Sequence, residues 1–333
     1  MTITNLKSSP HLFASTLSLI EKAFQYEKGH HFDVDFAPLM SESNHENCFV
    51  KLNTEGNVIA HIGFCKRTLN GHPIGMLGGI AVDERYRGEG HFQELMQEII
   101  SEHRGDVAFF LLWSDQEKLY KKFGFYLCGA QIELGQTGHN NKFKKVLLSS
   151  INSSEKKQIK ELYEQSFSKT YLSFNRTDSD WINIEKIQSS DLYIKVNQDS
   201  ISDYFFMNKG QDLKGIIFEY GTTGNFQDLI AELRAYGRVW SPLDLKIDSS
   251  EAQYQFLLSP GDPHLLSQFI KAYTNNIISI RDINMIKQEV YFDFNNEVLS
   301  LEIEEFLRGI FGPAPFEEIG DIPPIFISGL DSI

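Results

Sequence analysis

The stretch Gly78-Gly79-Ile80-Ala81-Val82-Asp83-Glu84-Arg85-Tyr86-Arg87-Gly88-Glu89-Gly90-His91-Phe92 holds the densest run of chemically useful residues in this sequence. It reads as a strand, a glycine-rich turn and the start of a helix. Successive N–H groups at a helix start form a nest for phosphate oxygens, and the helix dipole favours an anion there. Glycines let that backbone come close to the anion, and an arginine in the turn adds charge-assisted hydrogen bonds. The stretch is therefore an anion-binding loop suited to a phosphorylated cofactor. A dinucleotide fingerprint needs a third glycine, and Gln93 stands in its place. A P-loop needs Gly-Lys-Ser/Thr, and none follows.

Downstream lies Leu119-Tyr120-Lys121-Lys122-Phe123-Gly124-Phe125. Tyr120 sits on a helical turn, and Gly124 closes the helix expected over Glu117–Phe123. A phenol with a pKa near 10 stays protonated at neutral pH and can serve as a general acid.

Taken in order, and separated by one apolar strand, these two segments resemble the GCN5-related N-acetyltransferase (GNAT) superfamily. Its acetyl-CoA motif is Arg/Gln-x-x-Gly-x-Gly/Ala after a strand, commonly worded Tyr-Arg-Gly-x-Gly. That wording stands here as Tyr86-Arg87-Gly88-Glu89-Gly90. In this register Arg87 is the motif arginine and Gly90 the first glycine, and Phe92 departs from the final Gly/Ala. The register Arg85-x-x-Gly88-x-Gly90 fits the letters fully. Arg87 is preferred because it keeps the wording and the strand-to-loop distance.

The resemblance implies a division of labour. The backbone of Ile80, Ala81 and Val82 pairs with the pantetheine arm. Arg87, Gly88, Glu89, Gly90, His91 and Phe92 hold the pyrophosphate. Val107–Trp113 is the neighbouring strand, splayed to admit acetyl-CoA, and Ser114 at its end touches it. Tyr120 protonates the departing CoA thiolate. The implied activity is direct transfer of an acetyl group from acetyl-CoA to a primary amine on a small molecule or peptide, without a metal. The competing reading is a non-catalytic acyl-CoA-binding or regulatory protein. Tyr120 speaks against it, because a pure binder has no need of an acid.

A base must also deprotonate the amine. Tandem GNAT folds with one working site resemble the Eis-type acetyltransferases, in which a C-terminal carboxylate takes that role. By that resemblance the Ile333 carboxylate is a catalytic candidate, at the end of an extended arm with prolines at 313, 315, 323 and 324. His61, Asp115 and Glu117 are the other candidates, and the sequence does not choose among them. His30 and His31, near Asp33 and Asp35, read as a solvated loop contacting substrate. Trp181 and Trp240 read as core aromatics, and Cys65 and Cys128 as buried thiols.

The elements that must position these groups follow from periodicity. Helices are expected over His11–Tyr26, Gly88–Glu102, Glu155–Phe167, Trp181–Ile187, Asp228–Tyr236, His264–Tyr273 and Val298–Ile310. Strands are expected over Asn47–Leu52, Val58–Arg67, Met76–Val82, Val107–Trp113, Phe125–Leu134, Leu192–Asn197, Ser202–Met207, Gly215–Tyr220, Tyr254–Leu258 and Tyr291–Phe294. The fold class is α/β (α+β): a GNAT fold with a mixed central sheet flanked by helices, then a second, degenerate GNAT-like α/β domain. Lys214–Leu233 repeats strand, turn and helix without an arginine in the turn. At 333 residues the chain suits two domains. The polar segment Ser149–Ser154 divides it into a catalytic 1–150 and a degenerate 151–333.

The net charge of −14 argues against nucleic acid as a partner. It is uneven: residues 1–150 carry 15 basic and 17 acidic side chains, and residues 151–333 carry 16 and 28. Beyond solubility, this asymmetry gives a field that attracts a cationic amine. Three cysteines without CxxC spacing indicate neither a disulfide framework nor a zinc site. The first ten residues have no apolar run of the secretory kind, and Val107–Trp113 is far too short to span a bilayer. A cytoplasmic protein with no membrane partner is expected.

Overall fold

The computed structural model describes residues 1–241, 252–253, 255–312, 315–319 and 322–333. The first sheet takes β1 (Thr2–Asn5), β2 (Cys48–Leu52), β3 (Val58–Leu69), β4 (His72–Val82), β5 (Phe109–Leu112) and β6 (Tyr126–Cys128). A seventh strand, Phe256–Pro260, comes from far downstream and lies between β5 and β6, antiparallel to both. The second sheet takes β7 (Gln131–Leu134), β8 (Lys144–Val146), β9 (Asp191–Asn197), β10 (Ser200–Met207), β11 (Ile216–Thr222), β12 (Arg238–Ser241) and β13 (Ala252–Gln253). The inserted strand of the first sheet is β14 (Phe256–Pro260). A small antiparallel sheet of β15 (Ile278–Asn284), β16 (Glu289–Phe294) and β17 (Glu297–Glu302) completes the strands.

The two large sheets have one topology. The first runs β1-β2-β3-β4-β5-β14-β6, and the second, taken from its other edge, β8-β9-β10-β11-β12-β7-β13. In each, the fourth and fifth strands are parallel and all other neighbours antiparallel. In each, the sixth strand belongs to the other half of the chain, so the sheets exchange one strand reciprocally. The crossing point is Gly129, at φ +70°, where a side chain would collide with Phe256. The single strand expected over Phe125–Leu134 is therefore two strands in two sheets.

Local chemistry explains the core hairpin. Asn70 and Gly71 both have positive φ, and this two-residue Asn-Gly loop joins β3 to β4 with Leu69 opposite His72. The helix His91–His103 lays Leu95, Met96, Ile99 and Ile100 on one face of the sheet, over Ile62, Phe64, Leu77 and Phe110. The helices Phe13–Ala23 and Pro263–Tyr273 cover the other face, with Ile20, Phe269 and Ile270 in a core that also takes in Met76 and Phe109. Trp181 and all three cysteines are buried, and Trp240 is partly buried.

Most expected elements lie where periodicity puts them. The helix expected over Val298–Ile310 begins later, as Ile303–Phe311, because Glu297–Glu302 pairs with β16 as β17. Tyr254, the expected start of a strand, lies outside the described residues; the strand there is β14. Among the described residues, no helix is long and apolar enough to cross a membrane.

Candidate active site

β4 carries the first unusual feature. Its pairing with β3 shifts by one residue between His61↔Ala81 and Gly63↔Gly78, so Gly79 and Ile80 together oppose Ile62. This is a β-bulge, and Gly79 takes φ +59°, a conformation that glycine enters freely. On its other side β4 pairs with β5 only at Gly75↔Phe110 and Met76↔Leu111. The strands part beyond that point, so Leu77–Val82 runs on without a ladder partner on the β5 side.

His61 stands on β3 beside the bulge. Its side chain is fully buried, and its Nδ1 lies 2.7 Å from the Gly79 carbonyl oxygen. A carbonyl only accepts, so Nδ1 carries the proton and donates. Nε2 is then the lone-pair nitrogen, buried and without a partner. Burial pushes the imidazole down to about 4, only partly offset by the Gly79 carbonyl, so His61 is neutral at pH 7.

The glycine-rich loop follows β4. Asp83 accepts from the Arg85 backbone and guanidinium, and these bonds bring its carboxyl down to about 2. Arg87 donates from Nε to the Val82 carbonyl at 3.2 Å. Gly88 and Gly90 have φ +84° and +87°, and Gly90 is the N-cap of the His91–His103 helix. It has no side chain to cap the helix, so the first-turn N–H groups receive no side-chain acceptor. His91 is buried, with Nε2 3.2 Å from Glu89. The Phe92 ring turns inward, edge-on to Tyr120 and Phe123.

Tyr120 is buried in the same core as Ile80, Ile62 and Leu112. Burial pushes its hydroxyl up to about 12, while hydrogen bonding with Ser114 at the end of β5 works in the opposite sense. Gly124 closes the turn at φ +77°, after the helix Glu117–Tyr120 and a tighter turn over Lys121–Phe123.

The tail brings Ile333 to this strand from the opposite face. A side chain at Gly78 would lie 2.5 Å from both the carboxyl carbon and a carboxyl oxygen of Ile333. Ile333 is buried, and its side chain joins the core that contains Met76 and Ala81. Residues that no spacing in the sequence connects hold the tail there. Arg176, fully buried, donates to Glu219 (2.5 Å) and Asp331 (2.9 Å). Ser328 donates to Glu219. Lys209 donates from Nζ to the carbonyls of Gly329 (2.9 Å), Leu330 (3.3 Å) and Ser332 (2.8 Å). Burial lowers the Lys209 ammonium to about 7 against the opposing pull of Asp35 and Asp331.

The remaining candidates have partners of their own, and Asp115 also raises the Tyr120 hydroxyl by its charge. Glu117 is paired with Arg308 at 3.2 Å. Asp115 follows Ser114 and raises the carboxyl of Asp212, which burial has already raised. Asp35 is buried and accepts from Tyr26 and Ser189. Glu21, His31 and Asp33 bring one potential ligand atom each within 4.8 Å of one another.

The strand with the bulge, the open loop and Tyr120 all fall within residues 13–125, which match the model of the acetyltransferase (GNAT) family. No curated protein matches the chain. Among solved structures, Eis1 from Mycobacterium abscessus is similar at 11% identity and a TM-score of 0.60, covering 94% of this chain and 90% of its own. A probable N-acyltransferase from Enterococcus faecalis V583 is similar at 12% and 0.56, over 90% of this chain and 84% of its own. A GCN5-related N-acetyltransferase from Anabaena variabilis ATCC 29413 is similar at 17% and 0.53, over 90% and 85%. At these identities the structures speak for the fold, and the family model speaks for residues 13–125: this segment matches the acetyltransferase (GNAT) family, and a further sheet domain follows it in the chain.

Proposed function

We propose that this protein transfers an acetyl group from acetyl-CoA to a primary amine on a small molecule or peptide. The observation that carries the reading is a convergence on one strand. The bulge at Gly79–Ile80 and the Ile333 carboxyl group against Gly78 meet at β4, and Tyr120, beside Ser114, packs in one core with Ile80 of that strand. The uncapped start of the His91–His103 helix suits a pyrophosphate, with Arg87, Gly88, Glu89, Gly90, His91 and Phe92 around it. Ile80, Ala81 and Val82 lie where β4 has left β5, so their backbone is available to a pantetheine arm, with Ser114 following β5 in the chain as a further contact. CoA supplies a thioester, whose carbonyl carbon is the electrophile.

The amine gives its proton to the Ile333 carboxylate and attacks that carbon. The carbon–sulfur bond breaks, and Tyr120 donates its hydroxyl proton to the sulfur. A phenol pushed up to about 12 is protonated at pH 7, as an acid must be. His61, held low and already bonded to Gly79, is a poor proton acceptor, which favours the carboxylate. The acidity of residues 151–333 suits a cationic acceptor.

The test is Tyr120→Phe. With an amine identified by release of free CoA, kcat falls about 100-fold while the Kd of acetyl-CoA stays the same. Unchanged kcat would remove Tyr120 from the acid role.

A further inference from the structure

We propose that His61 is a positioning residue of the acyl-transfer site, which sets the Gly79–Ile80 peptide so that the Ile80 N–H faces the oxygen of the acyl carbonyl. The inference rests on the acetyl-transfer reading above and adds a residue to which that reading gives no task.

The imidazole Nδ1–H donates to the Gly79 oxygen at 2.7 Å, so this carbonyl points at His61 and out of the ladder. No peptide bond in the described chain is cis. In a planar trans peptide the C=O and the following N–H point in opposite directions. The Ile80 N–H is therefore turned away from His61 and from β3. The Ile80 side chain packs with Tyr120 in one core, whereas a side chain at Gly79 would meet His61 and Leu39 on the other face. β4 has already parted from β5 here, so the N–H is not drawn into that ladder. A fixed backbone donor aimed at a developing oxyanion is among the strongest contributions a site can make.

The burial of His61 fits this task. A bulge with a glycine at positive φ has several conformations open to it, and a hydrogen bond of 2.7 Å from a packed ring selects one. The ring is boxed in: the Gly79 side brings it within van der Waals contact of the bulge, and its other nitrogen has no partner. Of the two neutral tautomers, only the one with hydrogen on Nδ1 makes the bond. The imidazole thus works through the backbone, and no proton leaves it.

Two variants separate positioning from base catalysis. In His61→Asn the side-chain amide nitrogen occupies the place of Nδ1 and keeps the donor. His61→Leu fills the volume and removes it. His61→Leu is expected to lower kcat about 100-fold with the acetyl-CoA Kd and the amine KM within about 3-fold of the parent. His61→Asn should recover kcat to within about 5-fold, with the pH profile of kcat unchanged. Equal loss in both variants, with the acid limb of the profile gone, would overturn the proposal in favour of a base.

A second measurement does not depend on turnover or on the Leu variant folding. In protein labelled with 15N-isoleucine, and with Ile80 assigned through Ile80→Val, acetyl-CoA should move the Ile80 amide proton downfield. The shift should persist in His61→Asn. Binding of acetyl-CoA with an unmoved Ile80 amide in the parent would overturn the proposal. Absence of any binding by calorimetry would instead overturn the acetyl-CoA reading on which it rests.

Discussion

β4 and β11 occupy the same place in two sheets of identical order, and they differ in what fills it. Each pairs in parallel with its neighbour for only two residues, and each has a bulge soon after. On β4 the bulge falls on Gly79–Ile80 between small residues. On β11 it falls at Phe218, and the residues that follow are Glu219, Tyr220, Gly221 and Thr222. Tyr220 crosses toward β12 and donates to the Trp240 carbonyl at 3.1 Å. Glu219 turns to Arg176, Tyr204 and Ser328. The two helices that follow differ in the same sense. Gly90 leaves the start of one helix uncapped, whereas Asn225 accepts from the N–H groups of Gln227 and Asp228 and closes the other. One fold thus supports an open strand with unspent donors, and a closed one whose polar groups anchor the tail.

This contrast can be broken at defined positions. The largest effect is expected from Gly78→Ala, which starts to make β4 resemble β11. Its methyl group would lie 2.5 Å from the Ile333 carboxyl group. Misplacing a catalytic group by about 1 Å costs about 100-fold in kcat, and acetyl-CoA affinity should hold, which steady-state kinetics and calorimetry would separate.

A pH titration tests the polar side of the bulge. His61 is held near 4 in the fold, below its ordinary 6.5, so the unfolded chain takes up the proton first as pH falls. Stability is therefore retained above pH 6.5 and lost as pH falls toward 4. The loss between pH 7 and pH 5 is about 2 kcal/mol, seen as a lower urea midpoint and absent in His61→Asn.

Gly90→Asn gives the open helix the cap of the closed one. Asparagine tolerates positive φ and competes for the first-turn N–H groups, so acetyl-CoA should bind about 10-fold more weakly without loss of fold, an effect of about 1.4 kcal/mol. The smallest effect is expected from the reverse exchange, Asn225→Gly. It should cost a few tenths of a kcal/mol in stability. Calorimetry should still find one acetyl-CoA per chain, because Tyr220 and Phe218 keep β11 filled. A second binding event in this variant would show that the cap alone distinguishes the two sheets.

What could be read from the sequence follows the same line between local and distant. The loop from Asp83 to Gly90 and the turn at Gly124 are set by neighbours a few residues away, so residue type and spacing reveal them. The helix His91–His103 announces itself through Leu95, Met96, Ile99 and Ile100. The strand exchange leaves almost no such trace. β7 alternates polar and apolar residues and β14 is mostly apolar, and nothing in either says which sheet it joins. Gly129 is the one local signal, a glycine inside an apolar run. Arg176, Glu219 and Asp331 are far apart in the chain, and their meeting depends on the whole fold. His61 stands between these cases: a histidine inside an apolar strand is visible as an anomaly, but its bond to a bulge is not.

The exchanged strands also have a consequence for how the molecule is made. β5 and β6 emerge from the ribosome early, yet the strand that joins them, β14, follows only after most of the second sheet has been synthesised. At ordinary translation rates that interval is roughly ten seconds. Through it the half-built first sheet presents two unsatisfied edges, and β7 waits in turn for β12. Neither sheet can close by itself, so the two must mature together, and a nascent chain of this protein is a natural client for whatever shields exposed strands at the tunnel exit.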